Sequence, residues 1–262
     1  MKKLEIKNPF GASVYHEETV SSTFDAARTL AGNNEGHGTV IMADFQQAGR
    51  GRLKRAWAAG RGENLLFTVL LRYADFAAIP RALTLRTGLA VSLAIEEQFP
   101  SLAGQVLVKW PNDIMINSRK IVGILVETDG NTAYIGVGVN IAQTEFPVEY
   151  RSKAGSIIQF VPELEGDQRF ELLGKILFQL HEEIETPSGN WRERLVKRLY
   201  KKGETVTFAQ GINDTLNLEG TEPACLITGI LSGFGEDGEL LIIPEGEKEE
   251  KAFITGELRV YS

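Results

Sequence analysis

Apolar residues along the chain change their spacing several times, and each change marks an element. The Val-, Ile- and Thr-bearing run from Gly38 to Phe45 predicts a strand, and Asn64 to Leu71 predicts another. Between them, Gln46 to Gly62 has no apolar periodicity and is rich in glycine and arginine. It predicts a loop, and one this long inside a compact domain is usually functional or mobile. Upstream, Ser22 predicts an N-cap with Asp25 as a near capping box, and Gly32 predicts the stop of a short helix, Thr23 to Ala31. Pro80 opens a helix that ends before Pro100, with Leu85, Leu89 and Leu93 stacked at i, i+4 spacing on its packing face. Strands then crowd together over Gln105 to Trp110, Asp113 to Asn117, Lys120 to Glu127 and Thr132 to Asn140. Gaps this short predict antiparallel hairpins rather than helical crossovers.

In the second half, Asp167 is the predicted N-cap of a long helix whose apolar stripe is Phe170, Leu173, Leu177, Leu180 and Ile184. A shorter helix is predicted from about Gly189 to Tyr200. Beyond Gly203 short strands take over: Glu204 to Ala209, Ala224 to Leu231, Glu239 to Ile243 and Phe253 to Tyr261, with Asp237-Gly238 as a hairpin turn. Glu245 to Lys251 reads as a charged, solvated loop. The pattern divides the chain into a larger unit, residues 1–202, and a small β-domain, residues 203–262.

Composition narrows the class. A chain of 262 residues with 43% hydrophobic and 24% charged residues is that of a folded globular protein. Its longest apolar run, Asn64 to Leu71, is too short to span a bilayer, and the N-terminus lacks the continuous apolar segment of a secretion signal. We expect no membrane association and a cytoplasmic protein. Cys225 is the only cysteine, which excludes an internal disulfide and a thiolate metal cage. Its place in the apolar run Ala224 to Ile230 predicts a small buried hydrophobe. His16, His37 and His181 are too scattered to support a zinc site or a Ser-His-Asp triad. The net charge of -7 argues against a protein built to hold nucleic acid. Locally the sign reverses, since Arg50, Arg52, Lys54 and Arg55 put four cations into six residues.

That cationic stretch lies in QQAGRGRLKRAW, Gln46 to Trp57. Gly49 and Gly51 allow close backbone approach and positive φ, Arg50 and Arg52 offer bidentate donors to phosphate or carboxylate, and Trp57 offers a flat face for a purine. An anion site and a merely solvated or RNA-facing basic loop explain the stretch about equally well. In VKWPNDIMINSRKIVGILVE, Val108 to Glu127, a Trp-Pro-Asn-Asp turn joins two strands, and Lys109 and Lys120 sit at strand starts. Such a turn and such a lysine are ordinary surface chemistry. Gly123 inside an apolar strand is less ordinary, and Gly136 and Gly138 in YIGVGVNI repeat the feature; interior strand glycines often mark close approach of a ligand or a backbone. Neither a Rossmann fingerprint nor a P-loop is present, so any nucleotide is held by arginines and a sheet surface.

These three segments in this order, preceded by Ser22-Thr23 at a helix start, closely resemble the catalytic core of biotin protein ligases (biotin–acetyl-CoA-carboxylase ligases) over roughly Glu18 to Asn140. The resemblance implies an α+β fold, a mixed sheet flanked by helices as in class II aminoacyl-tRNA synthetases, followed by a small SH3-like β-barrel. It implies formation of biotinyl-adenylate from biotin and ATP with Mg²⁺, then transfer of biotin to a lysine of a biotin carboxyl carrier protein. Residue by residue, Ser22, Thr23 and Gln46 match positions that hydrogen-bond the ureido ring, and Phe24, Gly49, Gly51 and Gly123 fall within the biotin site. Arg50 and Arg52 match a phosphate and carboxylate clamp, Lys120 the lysine between biotin carboxylate and adenylate, and Trp57 an adenine-stacking position. Arg55, Asn112, Asp113 and Asn140 fall at nucleotide, Mg²⁺ or active-site positions, with Asp113 a candidate base or orienting group for the acceptor lysine; the metal ligands are not assigned. Departures are Phe24, where many members carry Asn, Leu53 in place of Arg or His, an insertion-like Asp214 to Pro223, and a terminal unit in which Arg259 is the sole site assignment. About twenty residues precede Ser22, too few for a winged-helix DNA-binding domain, so a ligase without repressor role and without DNA as partner is expected; a homodimer is compatible. A lipoate or octanoate protein ligase is the rival enzyme, and a non-catalytic ligand- or RNA-binding module the rival from another class.

Overall fold

The computed structural model describes residues 1–186, 189–210 and 225–259. The first sheet contains β1 (Lys2–Leu4), β2 (Val14–Glu17), β3 (Thr39–Ala43), β4 (Asn64–Arg72), β5 (Leu107–Lys109), β6 (Asp113–Ile116), β7 (Arg119–Asp129) and β8 (Thr132–Asn140). The second contains β9 (Thr205–Gln210), β10 (Leu226–Phe234), β11 (Leu240–Pro244), β12 (Lys251–Phe253) and β13 (Gly256–Arg259). The helices are α1 (Thr23–Gly32), α2 (Leu83–Gln98), α3 (Arg169–Ile184) and α4 (Trp191–Val196).

The eight-stranded sheet runs in the order β1-β2-β3-β4-β8-β7-β6-β5 and is antiparallel except between β2 and β3, where Val14 pairs with Val40 in parallel. That parallel pair is joined through α1, a crossover the short-gap argument did not anticipate. Alternation along the strands sends two sets of side chains to opposite faces. On one face Ile41, Leu70 and Tyr134 meet Phe24, Ala27 and Leu30 of α1. On the other, Val40, Met42, Val69, Leu71 and Ile135 join α2 and α3 in the main core. α2 is buried on most of its circumference, so Leu85 and Leu89 are core while Leu93 is only half-buried. The main core continues into the second sheet through Phe208, Leu231, Leu240 and Phe253, with Trp110 edge-on to Phe208.

Several expectations shift at the element ends. Asp25 makes no capping box: Ser22 caps α1 by accepting from Phe24 N, while Asp25 takes the Ser21 hydroxyl and the Arg50 guanidinium. α2 starts three residues after Pro80, behind Ala82 in a left-handed conformation. The helix proper starts one residue later than predicted, behind Gln168, but Asp167 still caps it: its Oδ1 accepts from Arg169 N at 3.0 Å as well as from the Arg169 guanidinium. α4 is shorter than predicted, and the last predicted strand is two, broken around Gly256 at φ 148°. Asp237-Gly238 does turn the chain between β10 and β11, with Gly238 at φ 91°. Cys225 is exposed, not buried: it lies just ahead of β10, whose residues alternate between the core and solvent rather than being covered on both faces. The insertion-like Asp214 to Pro223, and the end of the chain from residue 260, lie outside the described residues.

Candidate active site

The sheet register builds the site. Lys109 stands opposite Asp113, Asp113 opposite Gly123, and Gly123 opposite Gly138, so these four share one face across β5, β6, β7 and β8. One step along β8 on the same face, Gly136 stands opposite Thr68 of β4. The missing side chains make room for two aromatic rings. A Cβ at Gly138 would come within 2.6 Å of Trp57 Cε2, one at Gly123 within 2.6 Å of Trp57 Cζ3, and one at Gly136 would run into the Phe24 ring. The glycines thus do permit a close approach, and in this structure the approaching groups are Trp57 and Phe24. Trp57 lies against the sheet over these glycines, with its Nε1 buried and unpartnered.

At the α1 end the helix start turns polar groups inward. Thr68 Oγ1 lies 2.9 Å from Thr23 Oγ1, and Gln46 Oε1 accepts from Thr23 N at 2.8 Å and from Thr23 Oγ1 at 3.1 Å. Ser22 and Thr23 are buried. At the β5–β6 end, Lys120 Nζ sits 2.5 Å from Asp113 Oδ1 and 5.4 Å above the Trp57 ring. Burial pushes the Lys109 ammonium below the usual lysine range, partly countered by Asp113 and Glu257. Asn112 has a structural task, its amide donating to Ile124 O at 2.8 Å so that the turn after the cis Trp110–Pro111 peptide is clamped onto β7. Asn140 Nδ2 donates to Gly155 O, whose residue in turn donates to Lys120 O, and Asn140 Oδ1 is buried without a partner.

The loop from Gln46 to Gly62 crosses this face. Gly49 and Gly51 are not where φ is positive. Gly51 is extended at φ -121°, while Leu53 and Lys54 both take φ 57°. Gly49 instead provides clearance, since a Cβ there would come 2.7 Å from Trp57 O, and Trp57 N donates to Gly49 O at 2.9 Å. The clustered cations diverge: Arg50 pairs with Asp25 at 2.6 Å, Arg55 pairs with Glu257 of β13 at 3.2 Å, and Arg52 lines a cavity of about 270 Å³ with Asn112, Trp110, Ile124 and Thr255. The loop's far end is anchored by Gly62 N on Asp44 O, beside Arg169, which holds the Asp44 carboxylate at 2.6 Å. Among the described residues no group of three or more His, Cys, Asp or Glu is arranged to hold a metal ion.

The register therefore brings together Ser22, Thr23, Phe24, Gln46, Trp57, Asp113, Lys120 and Gly123, and leaves Arg50 and Arg55 turned toward carboxylates at opposite ends. Sequence reasoning missed Thr68, Lys109 as part of the row, and Glu257. The Trp-Pro-Asn turn was enough to set Lys109 opposite Asp113; nothing local marks Glu257, which meets Arg55 across 202 positions of sequence.

The model of the Biotin/lipoate A/B protein ligase family matches residues 18–141. The bifunctional ligase/repressor BirA of Bacillus spizizenii is 36% identical over 157 residues, 57% of this chain and 47% of that protein. The biotin–[acetyl-CoA-carboxylase] ligase of Mycobacterium tuberculosis is 32% identical over 142 residues, 54% of this chain and 53% of that one. The chain thus spans about half the length of these curated relatives. The biotin protein ligase of Aquifex aeolicus, solved in complex with biotin and ATP, superposes with a TM-score of 0.73 at 29% identity, over 94% of this chain and 97% of that one. Over residues 18–141, with a mixed sheet, its flanking helices and a second antiparallel sheet behind the matched segment, the chain is similar to the biotin/lipoate A/B protein ligase family.

Proposed function

We propose that this protein is an ATP-dependent biotin protein ligase, which forms biotinyl-5'-AMP and then transfers the biotinyl group to a lysine of a biotin carboxyl carrier protein. The observation that carries the reading is the polarity of the glycine row. It has hydroxyl and amide groups at one end, Thr23, Thr68 and Gln46, and a lysine beside a carboxylate at the other, Lys120 and Asp113. A ureido ring, with two N–H donors and a carbonyl acceptor, suits the first end. A carboxylate attacking an α-phosphate suits the second, because Lys120 and Arg52 offset the repulsion of two anions and the charge that builds on the phosphoryl oxygens. Biotin and ATP are the ligands of the Aquifex relative, whose full length this chain parallels.

Mg²⁺ fits as a companion of the nucleotide rather than as a resident ion. Such an ion takes one or two carboxylates and completes its shell with phosphate and water. Asp113 would be the carboxylate, and the unpartnered Asn140 Oδ1 is a spare oxygen on the same face. When bound, the ion would neutralise phosphate charge. Asp113, paired with Lys120, is the group we assign to orient the acceptor lysine. We read the chain as a class II synthetase-like unit to residue 202 and an SH3-like barrel after it, the five-stranded order β12-β11-β10-β9-β13 supporting the second.

The test is incubation with biotin, ATP, Mg²⁺ and a biotin carboxyl carrier domain, read by mass spectrometry for one biotinylated lysine, with ATP–pyrophosphate exchange run on biotin and on lipoate in parallel. Exchange with lipoate alone would make the protein a lipoate ligase. Tight, salt-sensitive RNA binding without adenylate formation would make it a binding module.

A further inference from the structure

Two aromatic rings fill the face on which a ligand has to lie, and they differ in how they are held. Trp57 is half-buried on a loop, its indole N–H lacks a partner, and Leu53 and Lys54 just before it are in left-handed conformations. A left-handed backbone is strained for an L-residue, and a buried unpaired donor carries its own desolvation cost. Trp57 is a wall able to move. Phe24 is built in. It is 3% exposed, sits in the first turn of α1, and packs with Ala27, Leu30, Ile41, Leu70 and Tyr134. Moving its ring would open that whole cluster. When Trp57 yields, the groove opens over Gly138 and Gly123; it still ends at Phe24, whose ring covers Gly136 beside the Thr23–Thr68 pair.

We propose that Phe24 is a specificity-determining residue, the fixed end wall of the groove, which limits how far the ring end of the acid substrate can extend past Thr23. The proposal rests on the ligase reading, because that reading sets the substrate's ring at the hydroxyl end and its carboxylate toward Lys120. The Gly136–Phe24 contact is the particular fit: the strand gives up a side chain so that the wall can lie flush with the sheet. Acids with a compact ring end are accepted, and those with an added alkyl group there are excluded. A misfit of one methylene in an apolar pocket is worth roughly 10–200-fold in selectivity.

The test is binding of two probes by titration calorimetry: biotin, and a biotin carrying a propyl group on the ring end remote from its carboxylate. Wild-type protein is expected to favour biotin by at least about tenfold, from the same misfit scale. Phe24→Ala is expected to shrink that preference at least about tenfold, and Phe24→Leu to shift it in the same direction with most of the packing kept. Trp57→Ala should change both affinities by a common factor, since the movable wall does not read the ring end. If Phe24→Ala does not fold, Phe24→Leu decides the matter. An unchanged ratio in a folded Phe24 variant, or a ratio governed by Trp57 instead, overturns the proposal while leaving the ligase reading intact. A wild-type protein that binds neither probe overturns the reading of the site, and the proposal with it.

Discussion

Lys120 and Asp113 lie 2.5 Å apart, with the Lys120 ammonium over the Trp57 ring, while Arg52 borders a cavity next to Asn112. Lys120 lies beside Asp113 on the glycine face and Arg52 borders the adjoining cavity, and a fixed cation at a reacting phosphoryl group is generally worth about 10²–10³ in rate. Lys120→Ala and Arg52→Ala are therefore each expected to slow biotinyl-adenylate formation by about that factor in single-turnover assays, with thermal unfolding little changed. Near wild-type adenylation in both would remove them from the chemistry. Asp44 shows the opposite kind of role. Burial alone would raise its carboxyl pKa, but His16, 3.0 Å away, and Arg169 bring it below the ordinary 3.8. A carboxylate with a depressed folded pKa contributes stability above its unfolded value, and the contribution is lost as the pH falls through the folded value. Asp44→Asn is expected to cost about 1.5–3 kcal/mol at neutral pH, the scale of a charged hydrogen bond. Urea denaturation at several pH values should show the gap between variant and wild type closing as the pH drops below 3.8; a gap that persists in acid would mean the loss is one of shape, not charge.

The loop between β3 and β4 is the element where sequence and structure part most usefully. Its existence was legible because Gln46 to Gly62 lacks periodicity between two clean strands, and the hairpins of β5 to β8 were legible from their short gaps. β1 and β2 were not, since three- and four-residue strands carry too little alternation to stand out, and what fixes them is pairing in space, β2 with β3 and β1 with β2. Glycine was read correctly as a sign of close approach at Gly123, Gly136 and Gly138, but the identity of the approaching group depends on tertiary packing. Between Gly49 and Trp57 the left-handed positions fall on Leu53 and Lys54 rather than on Gly49 and Gly51, where the backbone folds back so that Trp57 N reaches Gly49 O. Trp57 covers Gly123 and Gly138, so on the proposed ligase reading a ligand that reaches them displaces its indole. Biotin with a non-hydrolysable ATP analogue is expected to change tryptophan emission, and Trp57→Phe should abolish that change while Trp110 and Trp191 remain. Retention of the full change in the variant would mean that the groove opens elsewhere.

At the scale of the molecule, the two sheets are not independent bodies joined by a tether. Phe208, Leu231 and Leu240 of the second sheet belong to the same core as α2 and the first sheet, Trp110 Nε1 donates to Gly238 O at 3.0 Å, and Arg81 pairs with Asp237. Against that rigid backing, Arg55 of the loop is held by both carboxylate oxygens of Glu257 at 3.2 Å. The pair is at the rim, so it adds at most about 1 kcal/mol to stability. What it does is tie the covering loop to the far sheet, and a loop that shields an adenylate from water matters more for retaining the intermediate than for making it. Glu257→Gln, which keeps the shape and removes the charge, is accordingly expected to leave adenylate formation within about twofold while raising its loss to hydrolysis several-fold, by the same gating argument. Burial works against the Glu257 anion, yet Arg55, with help from Lys109 and Arg52, brings its pKa below the ordinary 4.5, so the tie persists at neutral and mildly acidic pH. As the pH falls through that lowered value the carboxylate protonates, and wild-type intermediate retention should fall to that of the variant. Equal hydrolysis rates in the two proteins at neutral pH would mean that the loop is held shut without the Arg55–Glu257 tie.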